Sequence, residues 1–273
     1  MADAVPPGIA FVRLALATPD AGAFSASIAA LPPADPLRRL AEAHPEAWAT
    51  VRATLSAVDH ATASADAASH VRRVAAEFDR AAGLSPEASV ALYTLGDPAL
   101  LEAATEEIVR WLDSRALLRP APRALDIGCG IGRLERALAP RVAAIVGIDV
   151  SPVMVAEAQV RCRDLANVAI RQTSGLDLAL FGHGEFDLVL ALDSFPYIVA
   201  AGRDTARGLV DEAARVLVPG GHLAIFNYAY GQGPAEEAAE LELLAGPSGF
   251  TPIEMASSPF ELWDGRAFLL RRD

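Results

Sequence analysis

Apolar positions along the chain change rhythm near Arg123. Before it they recur at spacings of three and four, as at Val71, Val74 and Phe78, which places them on one face of a helix predicted over Ser64 to Ala82. Prolines interrupt this region at Leu31-Pro-Pro33 and around His44-Pro45. Asp97-Pro98 supplies an N-cap and a first-turn proline for a helix carrying Leu100, Leu101, Ala104, Ile108, Trp111 and Leu112. In residues 1–34 a strand near Ile9 to Leu16 and a helix after Thr18-Pro19 both match the pattern.

From Arg123 onward short apolar runs alternate with helical segments. The runs predict strands at Arg123 to Ile127, Ala144 to Asp149, Val168 to Gln172, Phe186 to Leu192 and His222 to Asn227. Helices are expected at 132–139, 152–163 and 203–217, the last stopped by Pro219-Gly220-Gly221. A further helix at 234–246 precedes strands near Thr251 to Ala256 and Arg266 to Arg271. Such alternation builds a parallel sheet covered on both faces, with ligands beyond the carboxyl ends of its strands. The expected organisation is an α/β domain over residues 85–273, preceded by a mainly helical extension or lid over 1–84.

Composition narrows the partners. The 273-residue chain has a net charge of −12, every basic residue is arginine, and no basic face is visible, so nucleic acid and anionic membranes are poor partners. The apolar run Ile9 to Ala17 contains Arg13 and lacks a basic lead, a poor match to a signal peptide. No uncharged stretch approaches the roughly 20 residues that span a bilayer, so no membrane insertion is expected. Cys129 and Cys162 have neither metal-ligand nor disulfide-framework spacing. A cytoplasmic protein is expected, with homo-oligomerisation left open.

The chemistry centres on Leu125-Asp-Ile-Gly-Cys-Gly-Ile-Gly132. Glycines at 128, 130 and 132 follow a strand and open a helix, where bare backbone reaches positive φ and lets a ligand approach closely. A dinucleotide fingerprint would need its third glycine at 133, which is Arg133. The segment resembles motif I of the class I S-adenosylmethionine (SAM)-dependent methyltransferases. Two more stretches extend the resemblance: Phe186-Asp-Leu-Val-Leu-Ala-Leu-Asp-Ser-Phe-Pro-Tyr197 is similar to motif IV, and Arg215-Val-Leu-Val-Pro-Gly-Gly-His-Leu-Ala-Ile-Phe-Asn227 to the family's helix, Pro-Gly-Gly turn and fifth strand. It covers about residues 90 to 273.

The resemblance implies a Rossmann-like, doubly wound seven-stranded sheet of order 3-2-1-4-5-7-6 with the last strand antiparallel. It also implies SAM as cofactor and methyl transfer to an O, N or C atom of a small-molecule acceptor. Cofactor contacts are expected at Asp126, Gly128, Gly130 and Gly132, at Asp149 toward the ribose hydroxyls with Val150 beside it, and at Asp193. After strand three the family often carries an acid near the adenine, whereas this chain reads Thr173-Ser174-Gly175-Leu176, so backbone at Ser174, Gly175 and Leu176 is the expected substitute. Tyr93, just before the helix that leads into motif I, can reach the methionine end of the cofactor, or equally be a core tyrosine.

Methyl transfer needs an aligned nucleophile and a site that excludes water, and a base only if the nucleophile starts protonated. Asp193 and Tyr197 are the catalytic candidates, with Asn227, Tyr228 and Tyr230 also following strand ends. No histidine is expected as base: His44, His60 and His70 fall in the helical region, and His183 and His222 at the far end of the sheet. Asp193-Ser-Phe-Pro-Tyr197 has the wrong spacing for the D-P-P-Y signature of nucleic acid amino-methyltransferases, and Phe226 stands where a catechol-type metal site would want a second acid, so no metal is expected. The competing functions are a non-catalytic SAM-binding module, a methyltransferase acting on a protein, and a nicotinamide-dependent oxidoreductase.

Overall fold

The computed structural model describes residues 5–58 and 65–273. Expectations placed on Met1 to Ala4, His60 and Ser64 lie outside the described residues. The chain forms two compact units. One draws on Met1–Ala61, Glu77–Ile108 and Phe260–Asp264, the other on Thr62–Ala76, Val109–Pro259 and Gly265–Asp273.

The first unit begins with helices α1 (Pro7–Ala17), α2 (Ala21–Ala29), α3 (Pro36–Ala43) and α4 (Ala47–Ala57). The chain is therefore helical where a strand at Ile9 to Leu16 was an alternative, with Phe11 and Ala15 one turn apart in the core. Asp20 and Asp35 cap α2 and α3 through side-chain bonds to backbone N–H groups. Phe11 and Phe24 meet at 4.8 Å in a core that includes Ile28, Val51 and Leu95. Helix α5 (Ala67–Leu84) runs through both units, followed by α6 (Pro86–Val90) and by α7 (Pro98–Ser114), which Asp97 caps through the amides of Ala99 and Leu100. Tyr93 is buried in the first unit, its ring stacked on Trp263 at 5.8 Å.

The second unit is built on a seven-stranded sheet of order β3-β2-β1-β4-β5-β7-β6. Its strands are β1 (Arg123–Ile127), β2 (Ala144–Asp149), β3 (Val168–Gln172), β4 (Phe186–Leu192), β5 (Leu217–Phe226), β6 (Phe250–Ser257) and β7 (Ala267–Arg272). The first five are parallel, and β7 runs antiparallel to both neighbours, as expected. Between them lie α8 (Arg133–Leu138), α9 (Pro152–Cys162), α10 (Phe195–Ala200), α11 (Arg203–Val216) and α12 (Pro234–Ala245).

Apart from shifts of one to three residues at element ends, one boundary and one element depart from expectation. Strand β5 starts at Leu217, before the Pro-Gly-Gly sequence, because Leu217 pairs with Phe186 and the next pairing is His222 with Leu188, so Val218 to Gly221 bulge outward between two paired positions. Helix α10 is short and apolar and has no counterpart in the predicted elements.

Alternate strand residues face opposite layers. Leu125, Ile127, Val189, Ala191, Leu223, Ile225, Phe268 and Leu270 join residues of α11 and α12 in one core. On the opposite face Trp111 of α7 meets Phe226 edge-on at 5.1 Å. Asp126, between Leu125 and Ile127, points into this second layer. The sheet grows outward in both directions from β1, and the switch point between β1 and β4 is where α/β sheets open a crevice for ligands.

Candidate functional site

Strand β1 ends in a turn whose three glycines all have positive φ: Gly128 at 81°, Gly130 at 53° and Gly132 at 77°. Gly128 and Gly132 have no room for a side chain. A Cβ on Gly128 would lie 2.4 Å from Cβ of Ser194, and one on Gly132 would lie 3.1 Å from both Cβ of Ala158 and Sγ of Cys162. The amides of Gly128 and Cys129 both donate to the carbonyl of Ile148, at 2.8 and 3.0 Å, tying the turn to β2. Ser194 Oγ donates to the carbonyl of Ile127 at 2.5 Å, tying it to the end of β4.

Asp149 closes β2 with its carboxylate turned to the same loop. Oδ2 accepts from the Gly130 amide at 2.9 Å and Oδ1 from the Ser151 amide at 2.8 Å. The helix cap is a separate residue, since Ser151 Oγ accepts from Met154 N. Each carboxylate oxygen has two lone pairs, so accepting an amide does not by itself exhaust it.

The loop after β3 comes to the same edge. Thr173 N donates to the carbonyl of Asp149 at 2.9 Å, and Gly175, with φ of 72°, passes so near Val150 that a Cβ there would sit 2.5 Å from the valine Cγ1 and 3.2 Å from Cγ1 of Val71. Ser174 and Leu176 are exposed beside it.

The ends of β4 and β5 carry the polar cluster. Asp193 and Asn227 both adopt left-handed backbone, φ 55° and 64°, an arrangement that costs on the order of 1 kcal/mol or more at each non-glycine position. Asp193 N donates to the carbonyl of Phe226 at 2.8 Å, and Asp193 Oδ1 accepts from Asn227 Nδ2 and from the Tyr230 hydroxyl, each at 2.9 Å. Asn227 in turn accepts from Arg266 N through Oδ1 at 3.1 Å. Tyr197, on α10, packs edge-on against Tyr230 at 5.9 Å. Enclosure of the Tyr230 hydroxyl pushes its phenol up, and the neighbouring Asp193 pushes it further, although the residue as a whole is 48% exposed. Tyr228 is different: it is fully buried against Phe195 and Phe268 and belongs to the core.

Sequence reasoning misses two residues. His70 is 5% exposed and its Nε2 lies 2.9 Å from the carbonyl of Tyr197, while Arg73 approaches Nδ1 at 3.2 Å. A carbonyl can only accept and a guanidinium can only donate, which assigns the neutral tautomer with the proton on Nε2. His70 thereby anchors α10. Glu135, on α8, is completely buried next to Asp126, which is itself 1% exposed. Burial pushes both carboxyl groups above the usual range. The remaining expected contact, Tyr93, belongs to the first unit. His222 lines a cleft of about 480 Å³ at the opposite end of the sheet. No group of three or more His, Cys, Asp or Glu among the described residues could hold a metal ion.

Residues 125–225 match the family model described as a methyltransferase domain. Demethylmenaquinone methyltransferase of Tropheryma whipplei (strain Twist) is 36% identical over 106 residues, 39% of this chain and 41% of that protein. Ubiquinone biosynthesis O-methyltransferase of Acinetobacter baylyi is 29% identical over 117 residues, 42% of this chain and 47% of that protein. The chain thus spans under half the length of either relative. Magnesium protoporphyrin IX methyltransferase from Synechocystis PCC 6803, solved with bound SAM, shares the fold with a TM-score of 0.50 at 23% identity, covering 63% of this chain and 79% of that one. Residues 125–225 are thus similar to a methyltransferase domain, and the seven-stranded sheet around them is a fold shared with a protein solved with SAM.

Proposed function

We propose that the protein is a SAM-dependent methyltransferase acting on an O, N or C atom of a small-molecule acceptor. The observation that carries this reading is the joining of the bare glycine turn to Asp149 through the Gly130 amide, at the switch point of the sheet. The residues present fit the cofactor: a carboxylate stands at the end of β2, where a ribose diol is to be held, beside a turn whose three glycines bring bare backbone to the site. Gly128, Gly130 and Gly132 would accommodate the methionine portion, Asp149 and Val150 the ribose side, and Ser174, Gly175 and Leu176 the adenine. Asp126, expected at the cofactor, is 1% exposed and lies beside Glu135.

When bound, the cofactor supplies an electrophilic methyl on a sulfonium. The chain's part is to hold and align the acceptor and to keep water away, and we assign Asp193 and Tyr197, with Tyr230, to the acceptor side. Asp193 Oδ1 already accepts two donors, which fixes its direction, and its carboxylate can orient or deprotonate an acceptor hydroxyl or amine. The quinone-pathway and porphyrin names of the relatives support a small molecule as acceptor. No helix among the described residues is long and apolar enough to cross a membrane, and both cysteines are free and buried, which supports placement in the cytoplasm.

Calorimetric titration with S-adenosylhomocysteine, the demethylated product, tests the reading. Wild type should bind at micromolar affinity without added metal. Gly130→Val should fold yet not bind, because a β-branched residue is disfavoured at φ of 53° and its side chain would fill the turn. Undiminished binding by the folded variant would remove the role given to the turn.

A further inference from the structure

Glu135 and Asp126 form a buried acid pair that methyl transfer does not itself call for. Both carboxyl oxygens of Glu135, and Oδ1 of Asp126, meet no N–H or O–H donor of the described residues beyond a proton held by the other acid. The two carboxyl groups are within hydrogen-bonding reach of each other. Two ionised carboxylates so placed in a dry layer repel, whereas one shared proton turns the contact into a short, charge-assisted bond.

The surroundings decide where that proton rests. Facing the pair are Asp149 at the end of β2, Cys129 in the turn, Cys162 on α9 and Arg133 at the start of α8. Asp149 adds negative potential. Burial raises both thiols, Cys162 to about 11, so they stay neutral near pH 7. Arg133 favours ionisation of Asp126. Glu135 is left as the proton holder.

There is no slack around it. Gly147 faces the acid with bare backbone: a Cβ there would be 2.4 Å from Glu135 Oε1 and 2.8 Å from Cβ of Cys129. Glu135 is wedged between β2 and the glycine turn. A second charge would drive the acids apart, and the displacement would pass through Cys129 to Gly130, whose amide holds Asp149.

We propose that Glu135 is a positioning residue of the glycine turn, that it holds one proton in common with Asp126, and that cofactor binding requires that proton. The coupling rests on the cofactor reading above. S-adenosylhomocysteine is titrated into the full chain at about pH 6.5 and about pH 8.5, each in two buffers of different ionisation enthalpy. One linked proton limits the effect to about tenfold per pH unit, and wild-type affinity should fall toward that limit as pH rises past the point where the pair gives up its proton. At the higher pH the binding enthalpy should depend on the buffer, reporting proton uptake. Glu135→Gln keeps the volume and an N–H donor, so its affinity should stay within about twofold across the range.

Equal pH profiles in the two proteins would overturn the proposal. So would a wild-type enthalpy independent of buffer at both pH values, a measurement that needs no variant. Absence of binding at every pH would overturn the cofactor reading and the coupling with it. The shared proton is then read in the unliganded chain, where the stability of wild type relative to Glu135→Gln should fall as pH rises, and a difference independent of pH would remove the proton from the pair.

Discussion

The amide of Gly130 donates to Oδ2 of Asp149 at 2.9 Å, so the turn after β1 and the acid that ends β2 form one hydrogen-bonded unit. The acid that is to hold the ribose also holds the turn. Asp149→Ala therefore has two consequences that must be separated. Removing the acceptor of two amides should lower unfolding stability by about 2–4 kcal/mol. It should also weaken S-adenosylhomocysteine binding roughly thirty- to a thousand-fold through lost charge-assisted bonds. A cycle with the 2′-deoxy ligand isolates the second effect. Wild type should prefer the hydroxylated ligand by more than about 1 kcal/mol, and the variant should be nearly indifferent. Equal discrimination by both proteins would leave Asp149 as a loop anchor alone.

Asp193 should matter more for turnover than for cofactor affinity. Asp193→Asn keeps the size of the side chain but removes the charge that Tyr230 and Asn227 point at. With the true acceptor, single-turnover methyl transfer should slow by about 10²-fold or more, while product affinity changes little. Tyr230→Phe, which removes one of the two donors, should slow it less. An unchanged rate in Asp193→Asn would make the residue a structural strand-end acid.

His70→Ala tests the anchoring of α10. The variant removes the His70 bond to the Tyr197 carbonyl, which still accepts from Ala201 N, at a cost of about 0.5–1.5 kcal/mol in urea unfolding. Because α10 carries Tyr197, turnover should fall as well. His70→Gln, whose amide N–H can replace the Nε2 donor, should recover part of both losses.

The acid pair predicts the sign of a pH effect on stability. Glu135 and Asp126 have folded-state affinities for protons raised above their unfolded values, first by burial. Between those values the pair binds more protons in the native chain than in the unfolded one, so its contribution to stability is highest in acid and declines as pH rises, by at most about 1.4 kcal/mol per pH unit for each proton. The advantage of Glu135→Gln over wild type should therefore grow from about pH 4.5 upward, measured by denaturant unfolding at a series of pH values. An advantage independent of pH would mean that Glu135 is ionised in the fold. Gly147→Ala probes the same packing without changing charge, and should cost about 1–3 kcal/mol by forcing Glu135 and Cys129 aside.

Strands β1 to β4 are legible in the sequence to the residue, because each is a short apolar run closed by an acid, a glycine or a polar turn at its carboxyl end. The same punctuation misleads at β5, where Pro219-Gly220-Gly221 reads as a turn before the strand but forms a bulge within it. Helix α10 is six residues of mostly apolar sequence, too short for a helical period to register. The turn glycines and both strand-end acids stand out because their chemistry is local. His70 does not: its partner is 127 positions away, and no pattern within a helix announces such a bond. Glu135 is hidden for another reason, since an acid between Arg133 and Arg136 reads as part of a solvated helical face. Only its register against Gly147 reveals that it points inward.

The left-handed backbone at Asp193 and Asn227 bears on how this region tolerates mutation. Asp and Asn are, after glycine, among the residues that occupy that conformation most readily, and here each side chain also accepts a bond that holds the strand ends together. In a library scored only for folded protein, both positions should therefore resist replacement even with no methyl group to transfer. A descendant that had lost its activity would go on spelling the site correctly for many generations, so intact Asp193 and Asn227 vouch for the shape of the strand ends and leave the chemistry to be measured.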